Sequence, residues 1–230
     1  MSSTTQARQQ ILARIHSATE PDGDQAQSYA ALPRPYVRKG KLAKEACLDL
    51  LVERLREYDA EVVEATPEEL PDAIASQLAG SGRHIFVAPA GLPSAWLIKG
   101  FDWRVDNGLP NAEIELAEGV VTGAFCAVAD SGTIVLHHSA TEGRRVLTLL
   151  PDWHLCILRA SQVVETLPEY FDRCEQPATS HPSDEDLSPG TPVLATYVSG
   201  PSATADIEMT RIKGVHGPRF LHVILVRDES

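Results

Sequence analysis

Apolar positions along this chain recur first at helical spacing and then in short runs. Ala7, Ile11 and Ile15 predict a helix over residues 4–18 that ends before Pro21. From Glu20 to Gly40 the periodicity dissolves into Pro, Gly, Asp and Ser, so residues 1–40 read as an N-terminal helix and linker arm. Such an arm offers a contact for a neighbouring subunit in a homo-oligomer. Residues 41–230 read as a single domain. Leu48, Leu51, Val52, Leu55 and Tyr58 form one stripe and predict a helix over 41–58, with a strand at Glu61–Glu64 behind it. Thr66 and Glu69 have capping-box spacing, but Pro71 moves the expected helix to Pro71–Leu78.

His84–Ala88 then reads as a strand and Pro93–Lys99 as a short helix stopped by Gly100. The middle is strand-rich. Val120–Ala129 and Thr133–His138 flank Asp130-Ser131-Gly132 and predict a hairpin. Apolar runs at Val146–Leu150 and Trp153–Leu158 straddle Pro151-Asp152, and Ser161 opens a helical stretch. Thr166-Leu167-Pro168-Glu169 is a second helix-start signal, and residues 175–192 read as a surface loop. Val193–Val198 and Phe220–Val226 read as buried strands. Alternating strands and helices point to an α/β fold with a mixed, largely parallel sheet and flanking helices.

Composition narrows the function classes. A net charge of −12 and a pI near 5.1 argue against nucleic acid as a partner, since phosphate binding calls for a basic surface. A local basic pocket for an anionic metabolite is compatible with that balance. Cys47, Cys126, Cys156 and Cys174 form no Cys-x-x-Cys pair, which leaves iron–sulfur and structural zinc sites unsupported. Reduced, mostly buried thiols fit a cytoplasmic protein. Residues 1–15 lack an apolar signal core, and Gly119–Leu136 reads as strands and a turn, so no membrane span is expected. Dinucleotide, Walker, Gly-x-Ser-x-Gly and His-Glu-x-x-His motifs are absent from the sequence, so no cofactor is expected from motifs.

The candidate chemistry concentrates in four turns. Ser199-Gly200-Pro201-Ser202 and Gly214-Val215-His216-Gly217-Pro218 read as one wall of a site close to Asp206, Glu208, Arg211 and Lys213. A short helix begun at Ser202 or Thr204 would aim free N–H groups at a carboxylate or phosphate; alternatively both residues only cap it, with Asp206 and Glu208 in solvent. His216 reads either as a proton shuttle or as a loop histidine bonded to backbone, whereas His222 reads as structural. Arg144 and Arg145 suit two-point gripping of an anion, the bland alternative being a solvated turn. Glu142 is a candidate nucleophile for acyl transfer. The Asp130-Ser131-Gly132-Thr133 turn completes the candidate ligand-binding set, and all these bends are expected to converge on one recess. Zinc held by His137, His154, His216 and Asp206 is disfavoured, because the chain offers no short ligand pair.

Five blocks carry a family resemblance: Ala129–Leu136, Glu142–Arg145, Leu149–His154, Val198–Glu208 and Gly214–Pro218. Their order and spacing resemble the lactate-utilisation protein C family (LutC/YkgG), whose shared region is the LUD domain. The resemblance implies a fold like the ribose-phosphate isomerase, glucosamine-phosphate deaminase and CoA-transferase superfamily. It also implies a bacterial cytoplasmic role in oxidising L-lactate to pyruvate, beside partner subunits that carry the iron–sulfur clusters. Catalytic residues are not assigned in that family, so the resemblance transfers only locations. Two other readings stand beside it: a stand-alone enzyme acting on acyl or phosphate-ester substrates, and a non-catalytic assembly or regulatory protein.

Overall fold

The computed structural model describes residues 3–19, 29, 31–33, 35–174, 194–205 and 211–228. It separates into two compact units, residues 1–36 and 37–230. The first contains helix α1 (Ser3–Thr19), on which Ile11, Leu12 and Ile15 are exposed.

The second unit is built on six parallel strands in the order β1-β12-β7-β4-β2-β3. These are β1 (Glu61–Ala65), β2 (Ile85–Pro89), β3 (Asp102–Asp106), β4 (Gly119–Thr122), β7 (Trp153–Arg159) and β12 (Phe220–Val226). Strand β7 is buried from Trp153 to Leu158, the uninterrupted apolar run expected of a parallel strand covered on both faces. Its alternation divides the core. Trp153, Leu155 and Ile157 meet Leu70, Ile74 and Leu78 of α3 (Leu70–Gly80), whereas Cys156 and Leu158 meet Leu48, Leu51 and Leu55 of α2 (Lys44–Glu57).

A second sheet, in the order β8-β5-β6-β9, shares the α2 core through Ala127, Ala129, Ile134 and Leu136. Its strands are β5 (Cys126–Val128), β6 (Thr133–Leu136), β8 (Val163–Val164) and β9 (Thr196–Val198), with α5 (Leu167–Cys174) alongside. Strands β10 (Ala203–Ala205) and β11 (Arg211–Lys213) pair as an antiparallel ribbon. Among the described residues no helix is long and apolar enough to cross a membrane.

Both capping signals act, each just ahead of its helix. The Thr66 and Glu69 side chains exchange backbone hydrogen bonds, the Glu69 N–H donating to Thr66 Oγ1 at 3.3 Å and the Thr66 N–H to Glu69 Oε2 at 3.0 Å. Pro71 therefore sits in the first turn of α3, which starts one residue before the expected Pro71. Likewise the Thr166 N–H donates to Glu169 Oε2 ahead of α5.

Several expectations are corrected. Val120–Ala129 is two strands in different sheets, because the chain leaves the first sheet at Gly123. Pro93–Lys99, Val146–Leu150 and the stretch opened by Ser161 contain short 3-10 turns at Ser94–Trp96, Arg145–Thr148 and Ala160–Gln162. The helix considered at Ser202 or Thr204 is not formed: Ala203–Ala205 is strand β10, paired with β11, and the Ser202 N–H donates to the Pro218 carbonyl, so the backbone groups that a helix N-terminus would leave free are taken up. Strand β3 and the short helix α4 (Asn111–Glu115) were not expected. The 175–192 loop lies outside the described residues.

Candidate functional site

The connections leaving β2 and β4 diverge. Strand β2 runs on to β3 at the sheet edge, whereas β4 leads to β7 on the other side. Such a reversal opens a crevice at the carboxyl ends of the strands, the usual ligand position in open α/β sheets. Here it is an open, shallow pocket of about 310 Å³ lined by Pro89, Ala90, Asp106, Gly108, Ser139, Ala140, Gly143 and Arg144. A larger open groove of about 480 Å³ runs along α2, but Asp49, Glu53, Glu57 and Glu64 line it with Arg56, a poor setting for an anion.

The segment after β6 forms the crevice lip and is pinned from below. The Gly91 N–H donates to the Ala140 carbonyl and the Gly123 N–H to that of Thr141, tying the lip to the ends of β2 and β4. Glu142 is buried beneath it; its Oε1 accepts the Ser139 hydroxyl at 2.9 Å and its Oε2 the His137 N–H. Gly143 has φ of 72°, and a Cβ there would lie 2.5 Å from Leu147 Cδ1. Only glycine meets both demands. His138 also adopts a left-handed φ of 59°, with Nδ1 at 3.0 Å from the Gly143 carbonyl and Nε2 at 3.0 Å from Thr196 Oγ1.

Arg144 closes the crevice against β3. Its Nε and Nη2 donate to both oxygens of Asp106 at 2.8 and 2.9 Å, and Nη2 also donates to the Leu109 carbonyl. Asp106 in turn accepts the Gly108 and Leu109 N–H groups. The Arg144 guanidinium, with those amides, holds the Asp106 carboxyl below the usual carboxylate range. Arg144 Nη1 has no hydrogen-bond partner among the described residues.

The other predicted residues lie elsewhere. Thr133 Oγ1 sits 2.7 Å from Ser199 Oγ and accepts the Ser131 hydroxyl, which joins the Asp130 turn to Ser199-Gly200. Both turns pack on the end of α2, since Cβ positions at Gly132 and Gly200 would lie 2.7 Å from the Cβ atoms of Arg54 and Tyr58. After the buried Pro201, Ser202 is braced by the next turn. Its carbonyl accepts the Gly214 N–H, its hydroxyl accepts the His216 N–H, and its N–H donates to the Pro218 carbonyl. This turn belongs to the amino end of the sheet, where Arg219 grips Asp152 ahead of β7.

One common recess is therefore not formed. Arg144 bonds at the carboxyl ends, whereas the Gly217 Cβ position faces the Thr148 carbonyl at 3.4 Å near the amino ends. Arg145 separates from Arg144 as well, donating to Thr148 Oγ1 at 2.9 Å. Asp206 and Glu208 lie outside the described residues, and of Thr204 only the β10 backbone is described. Among the described residues no three His, Cys, Asp or Glu side chains come together as metal ligands. Sequence reasoning missed Asp106 and Ser139. Phe101-Asp102-Trp103-Arg104-Val105 alternates as a strand should, and Asp106-Asn107-Gly108 after it is a turn signal that would have exposed the first.

Comparison with known proteins now fits this geometry to a lineage. Over 225 residues the chain is 39% identical to "Lactate utilization protein C" of Deinococcus radiodurans, covering 97% of each. It is 29% identical to the protein of the same name from Bacillus licheniformis, over 94% of this chain and 90% of that one. A crystal structure of a DUF162 family protein from Deinococcus radiodurans superposes with a TM-score of 0.64 at 34% identity, covering 81% of this chain and 99% of that one. The LUD domain family model matches residues 48–226, which takes in both sheets and every part of the crevice, and the chain belongs to the LUD domain family.

Proposed function

We propose that this protein serves lactate utilisation as a component without iron–sulfur clusters, holding a small carboxylate such as L-lactate in the switch-point crevice. The observation that carries this reading is Arg144. Asp106 and Leu109 fix two of its nitrogens at the crevice wall, and Nη1 remains for a ligand oxygen. The lactate role is supported by a relative of that name matched over 97% of both chains. Cluster-bearing partner subunits and a cytoplasmic setting follow from the family resemblance.

The stand-alone acyl-transfer reading is less well supported, because Glu142 is only 1% exposed and both its oxygens accept hydrogen bonds from the crevice lip. Glu142 shapes the crevice instead. Replacement Arg144→Ala is expected to weaken L-lactate binding, measured by titration calorimetry, by about 10- to 100-fold, the worth of a lost charged hydrogen bond. Arg145→Ala should leave it unchanged, since Arg145 is engaged at Thr148. Equal affinities in the wild type and Arg144→Ala would move the ligand out of this crevice.

A further inference from the structure

We propose that the crevice distinguishes 2-hydroxy acids from 2-oxo acids, with Ser139 as the specificity-determining residue and Glu142 setting the direction in which its hydroxyl points. The inference rests on the carboxylate reading above and deepens it.

The argument follows from counting protons around one oxygen. Ser139 lines the crevice, and its single hydroxyl proton goes to Glu142 Oε1 at 2.9 Å. Glu142 accepts on both oxygens, because Oε2 takes the His137 N–H. With Glu142 ionised, it has no proton to return. Thr141 Oγ1 lies 3.3 Å from Ser139 Oγ and, with the serine proton spent, must be the donor in that contact. Ser139 Oγ therefore offers an incoming ligand a lone pair and no hydrogen.

Arg144 lines the same pocket, and its guanidinium presents only donors. A ligand that satisfies both walls carries a carboxylate for the arginine and an O–H for the serine, which is the 2-hydroxy acid pattern. A 2-oxo acid would bring a carbonyl lone pair against the lone pair of Ser139. Leaving such a pair unmatched costs as much as a missing hydrogen bond.

Glu142→Gln reverses the logic with almost no change of shape. The amide oxygen accepts the His137 N–H as before, and the amide NH₂ donates to Ser139 Oγ. The serine proton then turns toward the ligand. Ser139→Ala removes the discriminating group altogether and guards against a folding defect in the buried variant.

Calorimetric titration of L-lactate and of pyruvate into the full chain and both variants tests this. The wild type should bind L-lactate at least about tenfold more tightly than pyruvate. The ratio should fall to one or below in Glu142→Gln and to about one in Ser139→Ala, with pyruvate still bound. If both acids bind the wild type equally, or the ratio is the same in all three proteins, the selectivity proposal is overturned and the carboxylate reading stands. If neither acid binds the wild type, both are overturned.

Discussion

A Trp153→Ala variant should lose about 3–5 kcal/mol of stability, the usual cost of deleting a fully buried large aromatic side chain. Trp153 is 0% exposed at the start of the central strand β7. Its ring meets Phe86 at 5.7 Å and His222 at 4.9 Å, and a Cβ at Gly119 would lie 2.9 Å from it. The neighbours belong to three strands of a continuous sheet and cannot close over the gap. For a unit of this size the loss corresponds to a melting temperature lower by roughly 10 °C. Trp153→Phe should cost much less. Among the described residues the buried indole Nε1 has no hydrogen-bond partner, so phenylalanine removes an unsatisfied donor while keeping most of the apolar volume. A fall of less than about 1 kcal/mol in Trp153→Ala would mean that the α3 side of the core is not packed as described.

Acid should destabilise the protein in two separate windows, and the upper one belongs chiefly to His154, with His222, which burial also shifts downward, adding to it. This imidazole is buried on β7 with Nε2 at 2.8 Å from Thr122 Oγ1. Burial, reinforced by the Arg145 charge, pushes its pKa down to about 4 from an ordinary 6.5. The sign follows from which state binds the proton. Above about pH 6.5 both states are neutral and the histidine costs nothing. Between about 6.5 and 4 the unfolded chain takes up a proton that the folded one refuses, so stability falls as pH falls. Below about 4 the folded state binds it too, and this loss levels off at about 3 kcal/mol. Asp106 and Asp152 act lower. Arg144 and Arg219 respectively depress these carboxyls, so their stabilisation is fully present above the ordinary carboxylate range and is lost as pH falls from that range through the lowered folded-state values. Urea unfolding of the wild type and His154→Gln across pH 3–8 separates the windows. The variant should show a much shallower slope between about 6.5 and 4, the remainder belonging to His222, whose pKa burial also lowers, and keep the lower window; parallel curves would show that His154 is not the main group refusing the proton.

The fold was legible wherever local pattern and burial agree. The α2 stripe, the apolar runs of β7 and β12, and the proline-marked starts of α3 and α5 each announce themselves, because one face or both faces of each are covered by the core. The pattern misled where tertiary position overrides it. Val120–Ala129 reads as one strand, yet it serves two sheets, and the lone Gly123 is the one local mark of the change. Ser202 and Thr204 look like helix caps, but the ribbon formed by β10 and β11 claims the Thr204 backbone and the 214–218 turn claims that of Ser202.

The site divides in the same way. Glycines and charges marked the Glu142–Arg144 turn as special, and the structure places it at the strand-order reversal. That one turn would lie apart from Asp130 and His216 could not be read locally. It depends on Arg145–Thr148 carrying the chain from the carboxyl toward the amino ends of the sheet. Asp106 went unnoticed for a related reason, since its role requires an arginine 38 residues away.

The crevice assignment is tested most directly by amide chemical-shift mapping of the full chain titrated with L-lactate. Shifts should concentrate on Ala90, Gly91, Asp106, Gly108 and Ser139–Arg144. Shifts centred instead on Ser202 and Gly214–Gly217, or none at all at millimolar ligand, would contradict it.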